Sequence, residues 1–408
     1  MKDEDEMTDE RAVRLLLPLR EEPDGPARID VPRTMVEGRR RRVLRRWSGG
    51  AALIALTSVA AGGGTLAVAA LRDGSPVPVP TVTATATPSA VAAAPAQPTG
   101  CTVTRLPTDG VRKAVVTAGD PTGRYLAGRT YQPSPGPILW KDGKILDRPR
   151  LTGDDPSFDD INSSGVAVGS AFLGDLQQQG YAYRDGRVTE LDGKHTVPMA
   201  INDAGVIVGT IGEVLKEVPV RWDSADAKAE PLPMPAGMTT GSADAIAEDG
   251  TVVGSVATDS RATASGYLWL PDGTGRKMAR PEVDGVEADY FWPESITNGW
   301  VAGRAVDDSP DGSTRSFASM RYRIADGTYH PLPQSVFPAL IAGNGWVAGE
   351  AGPPVILAGS KVVELPRYRT LKEYQISYYS ADGRRVAGHS TDSEGDQVGN
   401  EPLLWTCR

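Results

Sequence analysis

Cysteine is almost absent, with two residues in 408. So small a number excludes a disulfide-dense mini-fold and any cysteine-rich zinc module. Histidine is nearly as scarce: His195, His330 and His389 are the full complement. None has a carboxylate or cysteine at metal-ligand spacing, so no metal centre is expected and all three are read as surface or loop residues. No serine nucleophile elbow and no Cys–His pairing is present, and no cofactor is expected. Beyond residue 100 no segment keeps a 3.6-residue apolar period, which excludes a helical solenoid. Excess positive charge is missing too. Residues 101–408 carry 30 basic and 40 acidic groups, a net −10. A body of that sign repels phosphate backbones, so nucleic acid is not an expected partner.

One long uncharged run is apolar enough to matter, the 25 residues from Trp47 to Leu71. About 20 residues cross a bilayer as a helix. Arg39, Arg40, Arg41, Arg42, Arg45 and Arg46 precede it and Arg72 alone follows. That asymmetry sets the N-terminus in the cytoplasm, with a single span over 47–71 and the rest of the chain outside the cell membrane. A cleaved signal is the competing reading. Ala67-Val68-Ala69 offers a small-residue cleavage site, and Arg40 to Arg45 resembles a twin-arginine export signal. Both readings export the remainder of the chain. Residues 1–46 read as a largely disordered cytoplasmic tail, interrupted by Pro18, Pro23, Pro26 and Pro32. Residues 72–100 are a Pro/Ala/Thr-rich linker, without a charge from Gly74 onward. At ~3.1 Å per residue such a tether reaches roughly 80 Å.

Residues 101–408 repeat one unit seven times. A short apolar block ends in glycine at Gly128, Gly169, Gly209, Gly254, Gly303, Gly349 and Gly388, at spacings of 41, 40, 45, 49, 46 and 39. Ahead of it stands a turn, as in Ile201-Asn202-Asp203-Ala204-Gly205. Asn and Asp tolerate the turn geometry and Gly supplies positive φ, so each reads as a tight hairpin. A second hairpin comes next, as in Leu139-Trp140-Lys141-Asp142-Gly143, and Leu-Pro often ends the unit, as at Leu232-Pro233 and Leu365-Pro366. Four short strands per unit, seven times over, describe an all-β, seven-bladed β-propeller.

The two ends of this body complement one another. Cys101 to Pro107 has the character of a unit's last strand, yet precedes the first unit. Pro402 to Cys407 matches a unit's third strand, and the chain then stops. The expectation is that the N-terminal strand supplies the outer strand of the last blade. A Cys101–Cys407 disulfide would then stand where other blades have a hairpin.

The signature Ile-Asn-Asp-x-Gly-x-x-Val-Gly, carried by Ile201 to Gly209 and nearly so by Ile161 to Gly169, resembles the HAF-repeat family of bacterial surface and secreted proteins. The resemblance covers about residues 110 to 405. The His-Ala-Phe tripeptide itself is replaced, by Tyr181-Ala182-Tyr183 and Tyr267-Leu268-Trp269. The resemblance implies a propeller-like, extracytoplasmic module and no assured activity.

Trp140, Trp222, Trp269 and Trp405 share one slot of the unit, filled elsewhere by Tyr183, Tyr322 and Leu357. A slot that leucine can fill is a packing position, not a sugar-stacking ladder. Trp292, Trp300 and Trp346 fall outside it and are candidates for exposed contact. Asp307, Asp308 and Asp311 stand in a stretch that opens like a calcium loop, but Ala318 occupies the place of its bidentate Glu, leaving a solvated acidic loop. The links between second and third strands vary most, being long over Ser170–Gly180, Arg304–Ser316 and His389–Glu401 and short over Glu350–Pro353. Variable loops on a uniform scaffold carry binding. The expected function is therefore a monomeric, non-catalytic binding or sensing module, its rim meeting a protein or glycan. One alternative is an enzyme acting on carbohydrate or cell-wall polymer, marked by carboxylates of mutually perturbed pKa around one channel mouth. Another is a transmembrane regulator signalling through residues 1–46.

Overall fold

The computed structural model describes residues 98 and 100–408, apart from 132–134, 175–176, 215, 259–263, 309–314 and 395–396. The expected tail, membrane span and nearly all of the linker lie outside the described residues, as does Asp311. Among the described residues no helix is long and apolar enough to cross a membrane.

The body is a seven-bladed β-propeller of seven four-stranded antiparallel sheets. In blade 1 the strands run Ala114–Gly119, Tyr125–Thr130, Gly136–Lys141 and Lys144–Asp147. Blade 2 comprises Asp154–Ile161, Ala167–Phe172, Gln178–Arg184 and Arg187–Glu190. Blade 3 comprises Val197–Ile201, Ile207–Ile211, Val218–Trp222 and Glu230–Pro231. Blade 4 comprises Thr240–Ile246, Val252–Ala257, Ser265–Trp269 and Gly275–Lys277, and blade 5 Tyr290–Thr297, Trp300–Asp308, Arg315–Arg323 and Thr328–Pro331. Blade 6 comprises Phe337–Ile341, Val347–Glu350, Pro354–Ala358 and Lys361–Glu364. Blade 7 comprises Tyr374–Tyr379, Arg385–Ser390 and Pro402–Cys407, with Cys101–Arg105 as its fourth strand.

The glycine that recurs in the sequence has a single structural cause. Every blade's first strand carries a β-bulge: between Val116 and Ala118, Phe158 and Asp160, Pro198 and Ala200, Ala243 and Ala245, Pro293 and Ser295, Phe337 and Leu340, and Ile376 and Tyr378. The bulge bends the strand and presses one of its carbonyls onto the second strand. A Cβ on the repeat glycine would lie 2.3 Å from the Val115 oxygen at Gly128, 2.1 Å from Val197 at Gly209 and 1.9 Å from Ser242 at Gly254. The other four copies are as tight, at 2.0 to 2.3 Å. Only glycine fits there.

Adjacent blades share their cores. Trp140, Trp222 and Trp405 are wholly buried and Trp269 nearly so. Each indole Nε1–H donates to a carbonyl just past the outer strand of the preceding blade: Trp222 to Asp192 at 2.9 Å, Trp269 to Pro233 at 2.7 Å and Trp405 to Pro366 at 2.8 Å. Burying one indole, about 200 Å² at about 25 cal/mol/Å², contributes roughly 5 kcal/mol before entropy is charged against it. The residue after a buried or half-buried leucine thus supplies the acceptor for the next blade's tryptophan, a proline at Pro233 and Pro366 and an aspartate at Asp192. Trp140 of blade 1 makes the same bond, at 2.8 Å, to Pro107, just beyond Cys101–Arg105.

In blade 7 the register pairs Cys101 with Cys407, Val103 with Trp405 and Arg105 with Leu403. Cys101 and Cys407 form a disulfide. Leu106 N–H donates to Pro402 at 2.9 Å, and Arg105 pairs with Glu401.

Two sequence expectations are corrected. His389 is neither surface nor loop: it lies near the end of the second strand of blade 7 at 4% exposure, facing an interface beside Lys113 of blade 1. His195 and His330 are half-buried, His330 with its ring 5.6 Å from that of Trp300. The stretch Arg304–Ser316 is not all loop either. The second strand of blade 5 runs on to Asp308 and its third starts at Arg315, because Arg304, Ala305 and Val306 keep both faces of the strand buried.

Candidate functional site

The first strands of the blades, with the turns beyond them, line a central funnel of about 830 Å³. Six of the bulged residues face it: Thr117, Asp159, Met199, Asp244, Glu294 and Ser377. The bulge therefore does two things at once, bending the strand and aiming its extra residue at the channel. The only charged side chains in the lining are carboxylates. Asp159, Asp160, Asp244, Glu248, Asp249, Glu294 and Asp382 contribute, and among the lining residues there is no lysine or arginine.

Three of these acids are held by backbone amides of an adjacent blade. Asp160 Oδ1 accepts from Ile161 N–H at 2.9 Å and Oδ2 from Ile201 N–H of blade 3 at 2.8 Å. Burial pushes its pKa up to about 7; the two amides oppose the rise, and Glu248 and Asp120 add to it. Glu248 Oε2 accepts from Asp203 N–H at 2.9 Å, and burial raises that carboxyl as well. Glu294 Oε2 accepts from Ala339 N–H of blade 6 at 2.7 Å, while Oε1 meets the Arg304 guanidinium at 2.7 Å. Tyr378 O–H donates to the Asp120 carbonyl at 2.6 Å and Ser377 O–H to Val116 at 2.7 Å, joining blade 7 to blade 1. Among the described residues no three His, Cys, Asp or Glu side chains converge as a cage for one ion. The funnel offers spread negative charge on a rigid frame.

The residues singled out in the sequence do not form one site. Asp307, Asp308 and Trp292 gather on blade 5, at the end opposite the funnel mouth. Asp308 receives a bidentate pair from Arg315, whose hydrogen bonds hold that carboxyl below its ordinary value. Trp292 is half-buried, 5.1 Å from the Arg304 guanidinium, which also lies 4.5 Å from the Phe317 ring and 4.4 Å from that of Phe337. Trp300 and Trp346 stand at the start of second strands at the funnel end but are half-buried between blades and outside its lining. A Cβ on Gly345 would touch Trp300 at 3.2 Å, and one on Gly383 would touch Trp346 at 3.5 Å.

The funnel acids were missed because they share no residue type from copy to copy. One cue was present: a carboxylate before the apolar end of a first strand, as in Asp159-Asp160-Ile161.

No family model and no curated protein matches the chain. Among solved structures it is similar to TolB from Acinetobacter baumannii, at 11% identity over 72% of this chain and 79% of that one, with a TM-score of 0.38. It is also similar to the β-propeller domain of the Trilobed protease from Pyrococcus furiosus, described as having an open velcro topology. There the identity is 11% over 72% of this chain and 95% of that one, with a TM-score of 0.47.

Proposed function

We propose that this protein is a non-catalytic binding or sensing module, tethered to a membrane through residues 47–71 and displaying its propeller outside the cytoplasm. The binding half of this reading is carried by the funnel, about 830 Å³ with carboxylates from four blades and no basic residue among those that line it. Volumes of ~300–1,000 Å³ suit small ligands. Fixed carboxylates against low-dielectric walls focus a negative potential at the mouth and favour a ligand bearing amines. Export is supported by the arginine block ahead of the uncharged run, by the HAF-like repeat signature, and by a disulfide of the kind that persists in oxidising compartments. We also infer that Cys101–Arg105 closes the ring, since without it the Pro402–Cys407 strand would present a raw edge.

The test is titration of the full chain with pentalysine and, separately, with the uncharged sugar maltohexaose. Pentalysine should bind, and more weakly as salt rises. Joint Asp159→Asn and Asp244→Asn replacement should cost about tenfold per charge, about 1.4 kcal/mol each. Equal pentalysine affinity for parent and variant overturns the reading.

One observation favours the enzyme alternative: Asp160 and Glu248 sit at one mouth with raised pKa values. Against it, both Asp160 oxygens already hold backbone amides. Release of reducing ends from cell-wall polysaccharide, abolished by Asp160→Asn, would decide for catalysis.

A further inference from the structure

The outer strand Cys101–Arg105 differs from the other six in how it is connected to its blade. Elsewhere the chain runs directly from third to outer strand, by a two-residue turn between Lys141 and Lys144, Arg184 and Arg187, and Ala358 and Lys361, and by a longer link between Trp222 and Glu230. Cys101–Arg105 has no such turn. It is exposed along most of its length, with Thr102, Thr104 and Arg105 all at the surface. Apart from the ladder and the disulfide it is held by Val103 against the blade core, by the Arg105–Glu401 pair and by long hydroxyl contacts, Thr102 to Thr406 at 3.5 Å and Thr104 to Leu404 at 3.4 Å.

Direction matters as much as strength. The chain enters this strand at Cys101 and leaves it at Arg105 toward Leu106, which is buried. A pull arriving through residues 1–100 therefore acts at the Cys101 end. In an antiparallel pair loaded at one end, the pairs break one after another from that end, and here five of them run from Cys101 to Arg105. The disulfide joins the first of them, Cys101 to Cys407.

We propose that the Cys101–Cys407 disulfide is a redox-gated load path: it carries tension from the N-terminal chain past the outer strand into the third strand of blade 7. This rests on the reading that Cys101–Arg105 closes the ring. The third strand is the right place to receive load. Pro402–Cys407 is paired on its other side with Arg385–Ser390, from Arg385 opposite Thr406 to His389 opposite Pro402. Its Trp405 is wholly buried and bonded to Pro366 of the blade 6 link. With the bond intact, peeling cannot begin. A dithiol reductant takes the two sulfurs to two thiols and is itself oxidised to a disulfide. The strand is then held by its ladder and these side-chain contacts, and tension strips it away from the Cys101 end, leaving the Pro402–Cys407 edge open to another strand.

The experiment uses the full chain, pulled between its N-terminus and a handle on the Asn202–Gly205 turn of blade 3, before and after mild reduction with dithiothreitol. In the oxidised protein the first event should be unfolding of the body. In the reduced protein a separate low-force step should precede it. That step releases residues 101–105, roughly 17 Å at ~3.4 Å per residue, up to the buried Leu106. Cys101→Ser with Cys407→Ser should give the same step without reductant, and mild reduction of folded parent covers the case in which that variant does not fold. A reduced protein with no early step overturns the load path. Hydrogen exchange at Thr102–Arg105 separates the two ideas: fast exchange in the oxidised protein refutes ring closure itself, whereas slow exchange with no early step refutes only the load path.

Discussion

Replacing Gly209 by alanine sets two physical effects against each other, with opposite signs. Gly209 does not adopt a positive φ. At such a position alanine ordinarily stabilises by ~0.4–1 kcal/mol, because it narrows the unfolded ensemble. The bulge says otherwise. The new methyl would sit 2.1 Å from the Val197 oxygen and 2.8 Å from Pro198 Cα, both of them backbone atoms that cannot rotate away. Relief requires the first strand to retreat by about 1 Å, disturbing the Val197–Thr210 and Pro198–Gly209 pairs beside it. Overpacking costs typically ~1–3 kcal/mol, and a backbone clash belongs at the upper end. At ~2.1 cal/mol/K per residue of unfolding entropy, a body of this size loses about 5 °C in Tm for a 3 kcal/mol deficit. Gly136→Ala is the control, because nothing lies within 4 Å of its added methyl and its φ is also not positive. Scanning calorimetry should show Gly136→Ala at or slightly above the parent and Gly209→Ala several degrees below. If Gly209→Ala melts with or above the parent, the repeat glycine is not explained by the bulge.

Buried groups give two further outcomes in pH and one in packing. Glu350 Oε1 accepts from Ile376 N–H at 2.7 Å, and burial pushes that carboxyl up to about 8, so the folded state holds a proton that the unfolded state releases near pH 4.5. Its contribution is complete below that pH and is lost as pH rises through about 8, so Glu350→Gln should raise Tm progressively over this window; a constant difference would contradict it. His389 runs the other way. Burial holds it down to about 3, so its contribution is complete above pH 6.5 and falls away below, which melting of the parent against His389→Gln across that range should show. Trp269→Phe should cost roughly 2 kcal/mol in denaturant unfolding, from one lost hydrogen bond to Pro233 and a small cavity, without changing ligand affinity.

The fold was legible because its demands recur identically. Every copy needs a glycine under the bulge, so glycine stands at positions 128, 169, 209, 254, 303, 349 and 388. Most copies need a third-strand aromatic, which made the tryptophan slot readable as packing. The misplacement of His389 came from reading one residue instead of a column. The position after each repeat glycine holds Arg129, Ser170, Thr210, Ser255, Arg304, Glu350 and His389, polar in every copy and buried or half-buried in all seven. Its polarity looks like surface, yet in two copies it answers a group across the blade interface. Arg129 pairs there with Asp155 of blade 2, and Glu350 with the Ile376 amide of blade 7.

The funnel was illegible for the converse reason. The bulge fixes where a side chain points and leaves its identity free, so the six channel-facing residues are Thr117, Asp159, Met199, Asp244, Glu294 and Ser377. No period connects them, because scaffold constraints repeat and a ligand's demands do not. A channel that must bind one asymmetric ligand has to break the sevenfold likeness, and the residues that break it look like noise in the repeat. In a propeller, then, the bulge positions are where the sequence should be searched for a site: located by the glycine opposite, and informative because they differ. Here they place carboxylates on blades 2, 4 and 5 against hydroxyls on blades 1 and 7, with the blade 5 carboxylate, Glu294, already paired to Arg304, so that charge is set unevenly around the ring.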